Sequence, residues 1–182
     1  AFIYHQPHSD SARAVYKIKY FDMPDIGVDI GEIMGKMMKE ARFTDDIDVI
    51  LPVPLAKERK RQRGFNQSEM IAQGISYATG IRVVTGAVSR VSFHGSQTKR
   101  DRQGRTENVE NAFRLKNGKL VTGKHVLIVD DIVTTGATIV AMAKQITQLP
   151  GVRVSVAAIG FAGERIYANS DDKDEDDNIF SQ

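Results

Sequence analysis

The run HVLIVDDIVTTGATIVAMAKQ, residues 125–145, constrains this chain more than any other stretch. Val126 to Val129 form an apolar block with no polar residue to alternate against, the pattern of a strand buried on both faces of a parallel sheet. Two carboxylates, Asp130 and Asp131, follow at once. A small, hydroxyl-rich turn comes next, Thr134, Thr135, Gly136, Ala137 and Thr138, and an amphipathic helix starts near Thr138. In an open α/β sheet, ligands bind beyond the carboxyl ends of the strands. Successive backbone N–H groups in such a turn, backed by a helix N-terminus, make a site for phosphate. Gly136 removes a Cβ where backbone must approach a ligand, and the threonine hydroxyls add donors. The carboxylates would repel a phosphate they faced. They suit neutral hydrogen-bond donors beside it, such as the two hydroxyls of a ribose. The stretch therefore reads as a device for a sugar phosphate. A plain strand–turn–helix with capping threonines is the competing reading, and it does not account for the full pattern. Neither G-x-x-x-x-G-K-[ST] nor G-x-G-x-x-G is present.

The rest of the chain alternates in kind. AFIYH (1–5) reads as a short strand, and 10–20 as a helix with Asp10 as cap and Ala12, Val15, Ile18 and Lys19 at helical spacing. Residues 25–42 form a second helix whose glycines at 27, 31 and 35 make a flat face, expected to pack closely on a sheet. DVILPVP (48–54) is a strand stopped by Pro52 and Pro54. Residues 66–80 are an amphipathic helix ended by Gly80. IRVVTGAVSRVS, AFRL, HVLIVD and VRVSVAAIGF read as strands, and ATIVAMAKQITQL as a helix. This order predicts an α/β fold with a mostly parallel central sheet flanked by helices. Residues 94–108 are polar and basic and read as a mobile excursion. Met34, Met37 and Met38 are expected in the core, and His94 and His125 in structural or exposed roles.

Charge narrows the partners. Net charge is +2, but DDKDEDD (171–177) carries −5, leaving +7 on the remainder. A basic body suits a phosphate-bearing partner. The reading divides the chain into one domain over 1–168 and an acidic tail over 169–182, too poor in apolar residues to order itself. With no cysteine, disulfides, thiolate zinc sites and cysteine nucleophiles are excluded, and a cytoplasmic setting is expected. No apolar run reaches the roughly 20 residues of a membrane helix. KERKRQR (57–63) holds five basic residues in seven. A solvated helix face is the plain alternative, but its place after a buried strand, at the sheet edge that carries Asp130, favours an anion site. QTKRDRQGR (97–105) holds four basic residues and one acid. Asn66 is a ligand candidate or simply the cap of its helix.

The motif at 126–138 resembles the 5-phosphoribosyl-1-pyrophosphate (PRPP) motif of type I phosphoribosyltransferases. LPVPLAKERKRQRGFNQSEMIA (51–72), YKIKY (16–20), Gln97 and GRTENVENAF (104–113) narrow the resemblance to the competence-associated ComF family, over about residues 2–161. The resemblance implies a type I phosphoribosyltransferase-like fold with a flexible hood loop. It implies that Thr134, Thr135, Gly136, Ala137 and Thr138 hold the ribose 5-phosphate and that Asp130 and Asp131 hold the ribose hydroxyls. Pro54, Leu55, Lys57 and Arg63 would hold pyrophosphate, and Arg105 would join the catalytic set from the hood. Gly64, Phe65, Asn66, Gln67, Gln97 and Asn108 belong to the family motif. Mg²⁺ would be bound through PRPP, with no direct protein ligands. Many members carry an N-terminal four-cysteine zinc module that this chain lacks, and whether one precedes Ala1 stays open. The implied activity is transfer of the phosphoribosyl group to an acceptor with release of pyrophosphate, in nucleotide metabolism. Without a glutaminase domain or a cysteine to hydrolyse glutamine, the acceptor would be free ammonia or a base. The alternative is a non-catalytic protein of DNA uptake that binds PRPP, nucleotides or single-stranded DNA. Competence proteins and a second copy of the chain are its candidate partners, and a membrane is not.

Overall fold

A computed structural model of the chain describes residues 3–4, 24–91 and 112–161. The predicted helix over 10–20, the excursion over 94–108, His94 and the acidic tail lie outside them. The main sheet has five strands: β1 (Ile3–Tyr4), β2 (Val49–Pro52), β3 (Arg82–Val83), β6 (His125–Val133) and β7 (Arg153–Phe161). Their order is β1-β7-β6-β2-β3, and every neighbouring pair is parallel. Two further strands, β4 (Val88–Arg90) and β5 (Phe113–Leu115), form a separate antiparallel pair. The Val91 N–H donates to the Ala112 carbonyl at 2.8 Å, so the two ends of segment 92–111 are held side by side.

Among the described residues there are four helices: α1 (Pro24–Glu40), α2 (Lys57–Arg63), α3 (Gln67–Thr79) and α4 (Ala137–Ile146). A single-turn 3₁₀ helix covers Gly118–Leu120. The central strands are apolar on both faces because both faces are covered. Ile50, Leu127, Val129, Ala157 and Ile159 pack against α1 and α3, through Met34, Met38, Ile71, Ala72 and Ile75. Val49, Leu51, Val126 and Ile128 pack against α4 and the β4–β5 pair, through Ile139, Met142, Ile146, Val88 and Phe113. Period-2 alternation thus sends neighbouring residues of one strand into two different cores.

The glycine face of α1 packs against a helix, not against the sheet as expected. Gly27, Gly31 and Gly35 lie along α3, and a Cβ on Gly31 would run into the Ile71 carbonyl oxygen. Gly74 answers from α3, where a Cβ would meet the backbone of Val28. Bare backbone on both sides lets the two helices approach this closely. Met37 also departs from the core reading, with 49% of its surface exposed beside exposed Ile33. IRVVTGAVSRVS is not continuous strand. It splits into β3 and β4, which belong to different sheets, with a turn whose Gly86 has φ +83°.

At the amino edge of the sheet, His125 is structural as read. One ring nitrogen lies 2.9 Å from the Ser155 hydroxyl and the other 3.2 Å from the Asp46 carboxylate. Arg153 also reaches Asp46, at 3.1 Å. The group ties the loop after α1 to the starts of β6 and β7.

Candidate functional site

The site lies where the chain changes direction across the sheet. From β2 the chain proceeds through α2 to α3 on one face, and from β6 to α4 on the other. Between the carboxyl ends of two such strands the connections diverge and leave a crevice. Two prolines help to open it. β2 stops pairing with β6 at Pro52↔Val129, and one further bond runs from the Val53 N–H to the Val129 carbonyl at 2.9 Å. β6 continues alone beside β7, with Asp130↔Ala158 and Val133↔Phe161 in register. The strand does not end on the acids, as the sequence suggested. They stand on its last turn of pleat, where β6 has lost its β2 neighbour.

Asp130 is mostly buried, and its carboxylate accepts one hydrogen bond from its chain neighbour and one from α3. The Ser68 hydroxyl donates to Asp130 Oδ1 at 3.1 Å and the Asp131 N–H to the same oxygen at 2.9 Å. Burial, and then the charge of Asp131, push its carboxyl up to about 6, against the pull of those two donors. Asp131 accepts the Ile132 N–H at 2.7 Å and is partly exposed. Two carboxylates are too few to cage a divalent cation. Among the described residues no three His, Cys, Asp or Glu side chains gather as a metal site. The donor set fits an Mg²⁺ that brings most of its ligands, waters and phosphate oxygens, with it.

The turn beyond the strand is open. Thr134 and Thr135 are exposed, and Gly136, Ala137 and Thr138 are partly so. Gly136 is the N-cap of α4 with φ +75°, and nothing lies within 4 Å of where its Cβ would be. The left-handed backbone, together with that clear space, accounts for the glycine. The Thr135 hydroxyl accepts the Ala137 N–H at 3.4 Å. The remaining N–H groups of the first turn of α4 face outward without intrahelical partners, as at any helix start.

Opposite this turn, Pro54, Leu55 and Ala56 form the partly exposed loop after β2. The basic run is not part of that loop. It is helix α2, with Lys57 as its first residue and Arg63 as its last. Glu58 sits in the first turn and Lys60, Arg61 and Arg63 in the last, the placement a helix dipole favours. Lys60 is engaged by Glu69 at 3.1 Å. Arg59 and Arg61 are exposed, and Arg63 is partly buried.

GFNQS (64–68) turns out to be architectural. Gly64 ends α2 at φ +77°, its N–H donating to the Lys60 carbonyl at 2.9 Å. Asn66 occupies the N-cap position of α3, but its side chain makes no cap hydrogen bond. It is buried, and its amide donates to the Val53 carbonyl at 3.0 Å, pinning the start of α3 to the end of β2. Gln67 and Ser68 are buried beside it, while Phe65 is half-buried. Gln97, Arg105 and Asn108 lie outside the described residues.

Two contacts escaped the sequence reading. Ser68 looked like an ordinary helix residue, and only the approach of α3 to β6 reveals its bond to Asp130. Arg90 fell within a presumed continuous strand. It is partly buried at the end of β4, with its guanidinium 5.4 Å from the centroid of the Phe113 ring.

Comparison with known proteins agrees with this geometry. The family description "Phosphoribosyl transferase domain" matches residues 19–179. DNA utilization protein YhgH of Escherichia coli is 33% identical over 133 residues, 71% of this chain and 58% of its own length. Competence protein F of Haemophilus influenzae is 29% identical over 124 residues, 66% of this chain and 54% of its own length. The chain spans little more than half the length of these curated relatives. Among solved structures, glutamine phosphoribosylpyrophosphate amidotransferase from B. subtilis superposes with a TM-score of 0.53 at 22% identity. That match covers 79% of this chain and 30% of the amidotransferase, and it establishes likeness of fold. A parallel sheet in this order, paired acids at its carboxyl edge and a family match over most of the sequence lead to one conclusion: the chain belongs to the phosphoribosyl transferase domain family, in its ComF branch.

Proposed function

We propose that the chain binds PRPP with Mg²⁺ and transfers its phosphoribosyl group to an acceptor, releasing pyrophosphate. The observation that carries the reading is the meeting of Asp130 and Asp131 with the open Thr134–Thr138 turn at one strand end. The turn offers backbone N–H groups and hydroxyls to the 5-phosphate. The acids accept hydrogen bonds from the ribose hydroxyls and so fix the ring between the two strand ends. With a carboxyl near 6, Asp130 is ionised at neutral pH and able to accept them. In this reading the loop at Pro54 and Leu55, with Lys57 and Arg63 of α2, takes the diphosphate end, as the family resemblance implies. Bound Mg²⁺ would neutralise diphosphate charge and assist its departure. As the bond from C1 to the diphosphate oxygen breaks, fixed positive charge stabilises the leaving group. A nitrogen acceptor then bonds to C1 and gives up its proton. On the strength of the family resemblance alone, Arg105 keeps its proposed catalytic role, and Gln97 and Asn108 remain residues of the family motif.

The test is calorimetric titration of PRPP with Mg²⁺ into the wild type and into the double variant Asp130→Asn/Asp131→Asn. Saturable binding by the first and none by the second supports the reading. Wild-type protein that fails to bind at any magnesium level overturns it.

A second reading rests on the exposed arginines of α2 and on the relatives' names, which speak of competence and DNA utilization. In it, the same edge grips the backbone of single-stranded DNA in an accessory role in DNA uptake. Affinity for an oligonucleotide would then fall steeply with salt. Arg61→Ala would flatten that slope without affecting PRPP.

A further inference from the structure

Helix α2, KERKRQR, has no apolar side chain to seat it in the core. It carries five basic residues and one acid, a net of +4. Arg59 and Arg63 stand four apart and Lys60 and Arg63 three apart, spacings at which like charges repel along a helix. Lys60 is relieved by Glu69 of α3 at 3.1 Å. Arg59 and Arg61, about 100° to either side of it, are exposed. Among the described residues neither has a hydrogen-bond or ion-pair partner. A helix that is polar all round draws its stability from outside its own sequence. The missing charge is in the same chain. Residues 171–177 hold six acids and one lysine, a net of −5, close to the complement of α2. They lie outside the described residues, but the strand that leads to them does not. β7 ends at Phe161, in register with Val133 at the carboxyl edge of the sheet. α2 stands at that same edge: the chain leaves β2 to form it and returns to β2 after it, where the Asn66 amide holds the Val53 carbonyl at 3.0 Å. β7 and β2 are two strands apart, about 10 Å. Nine residues, 162–170, join Phe161 to Asp171 and span up to about 30 Å. The acidic stretch is therefore tethered within reach of α2.

We propose that the acidic stretch 171–177 docks in cis on Arg59 and Arg61 of α2 and screens them from other polyanions. The docking depends on neither proposed ligand. The screening rests on the single-stranded DNA reading and regulates that surface: a nucleic-acid backbone reaches the arginines only by displacing the tail. Arginine suits the contact, since its fork of donors pairs with carboxylates as well as with phosphates. An effective concentration of about 1 mM against an intrinsic Kd of about 0.1 mM for a short polyanion suppresses a competitor by about tenfold.

The chain has no cysteine, so Ser181→Cys gives a single site for a nitroxide spin label. In isotope-labelled protein at about 20 mM salt the label should broaden the NMR amide signals of residues 58–63. At about 1 M salt, where the Debye length is about 3 Å, it should not. The broadening should also vanish when the six acids of 171–177 are replaced by Asn and Gln, and in Arg59→Gln/Arg61→Gln. Unchanged signals from the sheet strands certify that each variant is folded. No broadening of α2 at low salt overturns the docking, as does broadening that survives neutralisation of the acids or falls only on residues 92–111. Broadening carried from spin-labelled molecules to isotope-labelled ones in a mixture places the contact in trans and overturns the cis assignment. Titration of oligothymidylate at about 50 mM salt tests the screening: the neutralised chain should bind about tenfold tighter than wild type. Equal affinity overturns the screening. Binding by neither form overturns the screening together with the DNA reading, and leaves the PRPP reading to its own titration.

Discussion

Asp130→Asn should make the ligand-free protein more stable while abolishing PRPP binding. Burial and the neighbouring Asp131 raise the Asp130 carboxyl from an ordinary 3.8 to about 6. The sign follows from proton binding. Below pH 4 both the folded and the unfolded chain hold the proton, and the site costs nothing. Between 4 and 6 the unfolded chain releases it while the folded chain keeps it, so stability falls as pH rises. Above 6 the full cost is present, about 3 kcal/mol for a displacement of this size. Asparagine carries no charge there, and its oxygen can still accept from the Ser68 hydroxyl and the Asp131 N–H. The variant should therefore exceed wild type by about 2–3 kcal/mol at pH 8 and by nothing below pH 4. Urea unfolding of both proteins at pH values from 4 to 8 measures the difference, and titrations common to the two cancel in it. A variant no more stable than wild type at pH 8, or a gain that does not shrink as pH falls, would refute the reasoning.

Three further substitutions test the scaffold. Gly74→Ala places a methyl against the backbone of Val28 and Glu32, which cannot retreat without separating α1 from α3; a loss of about 3 kcal/mol is expected by thermal unfolding. Asn66→Ala leaves the Val53 carbonyl buried without its donor and should cost about 1–3 kcal/mol in urea unfolding. Ser68→Ala removes a donor that favours the ionised form of Asp130, so a carboxyl titration followed by NMR should show Asp130 moving further upward.

The legible parts of this molecule were those encoded locally. The apolar block at 126–129 announced a buried parallel strand, and Asp-Asp followed by T-T-G-A-T announced what stands at its end. Gly80 was read as a helix stop and is one, at φ +78°. What could not be read depended on partners distant in sequence. The glycines of α1 carry the same pattern whether they face a sheet or a helix, and only Gly74, 39 residues beyond Gly35, decides between them. IRVVTGAVSRVS reads as strand throughout because alternation cannot show that the chain crosses to a second sheet at Gly86. Asn66 was a cap by position, but its amide found a better acceptor at the end of β2.

The polar residues that hold the site together share a logic that the candidate ligand residues do not. Asn66 and Ser68 are buried and satisfied, each bonded to the end of a different strand, Asn66 to β2 and Ser68 to β6. Two residues apart on one helix start, they fix the width of the crevice between strands whose direct pairing has ended at Val53. The candidate ligand groups sit in the opposite condition. Asp130 is raised toward protonation, and the Gly136 turn faces open space. A site whose frame is relaxed and whose contact groups are electrically unsatisfied is arranged to gain free energy from a ligand that carries both a diol and phosphate. Substitutions in the frame should therefore lower stability and binding together. Substitutions of the contact groups should lower binding while leaving stability unchanged or higher, and that contrast separates the two sets experimentally.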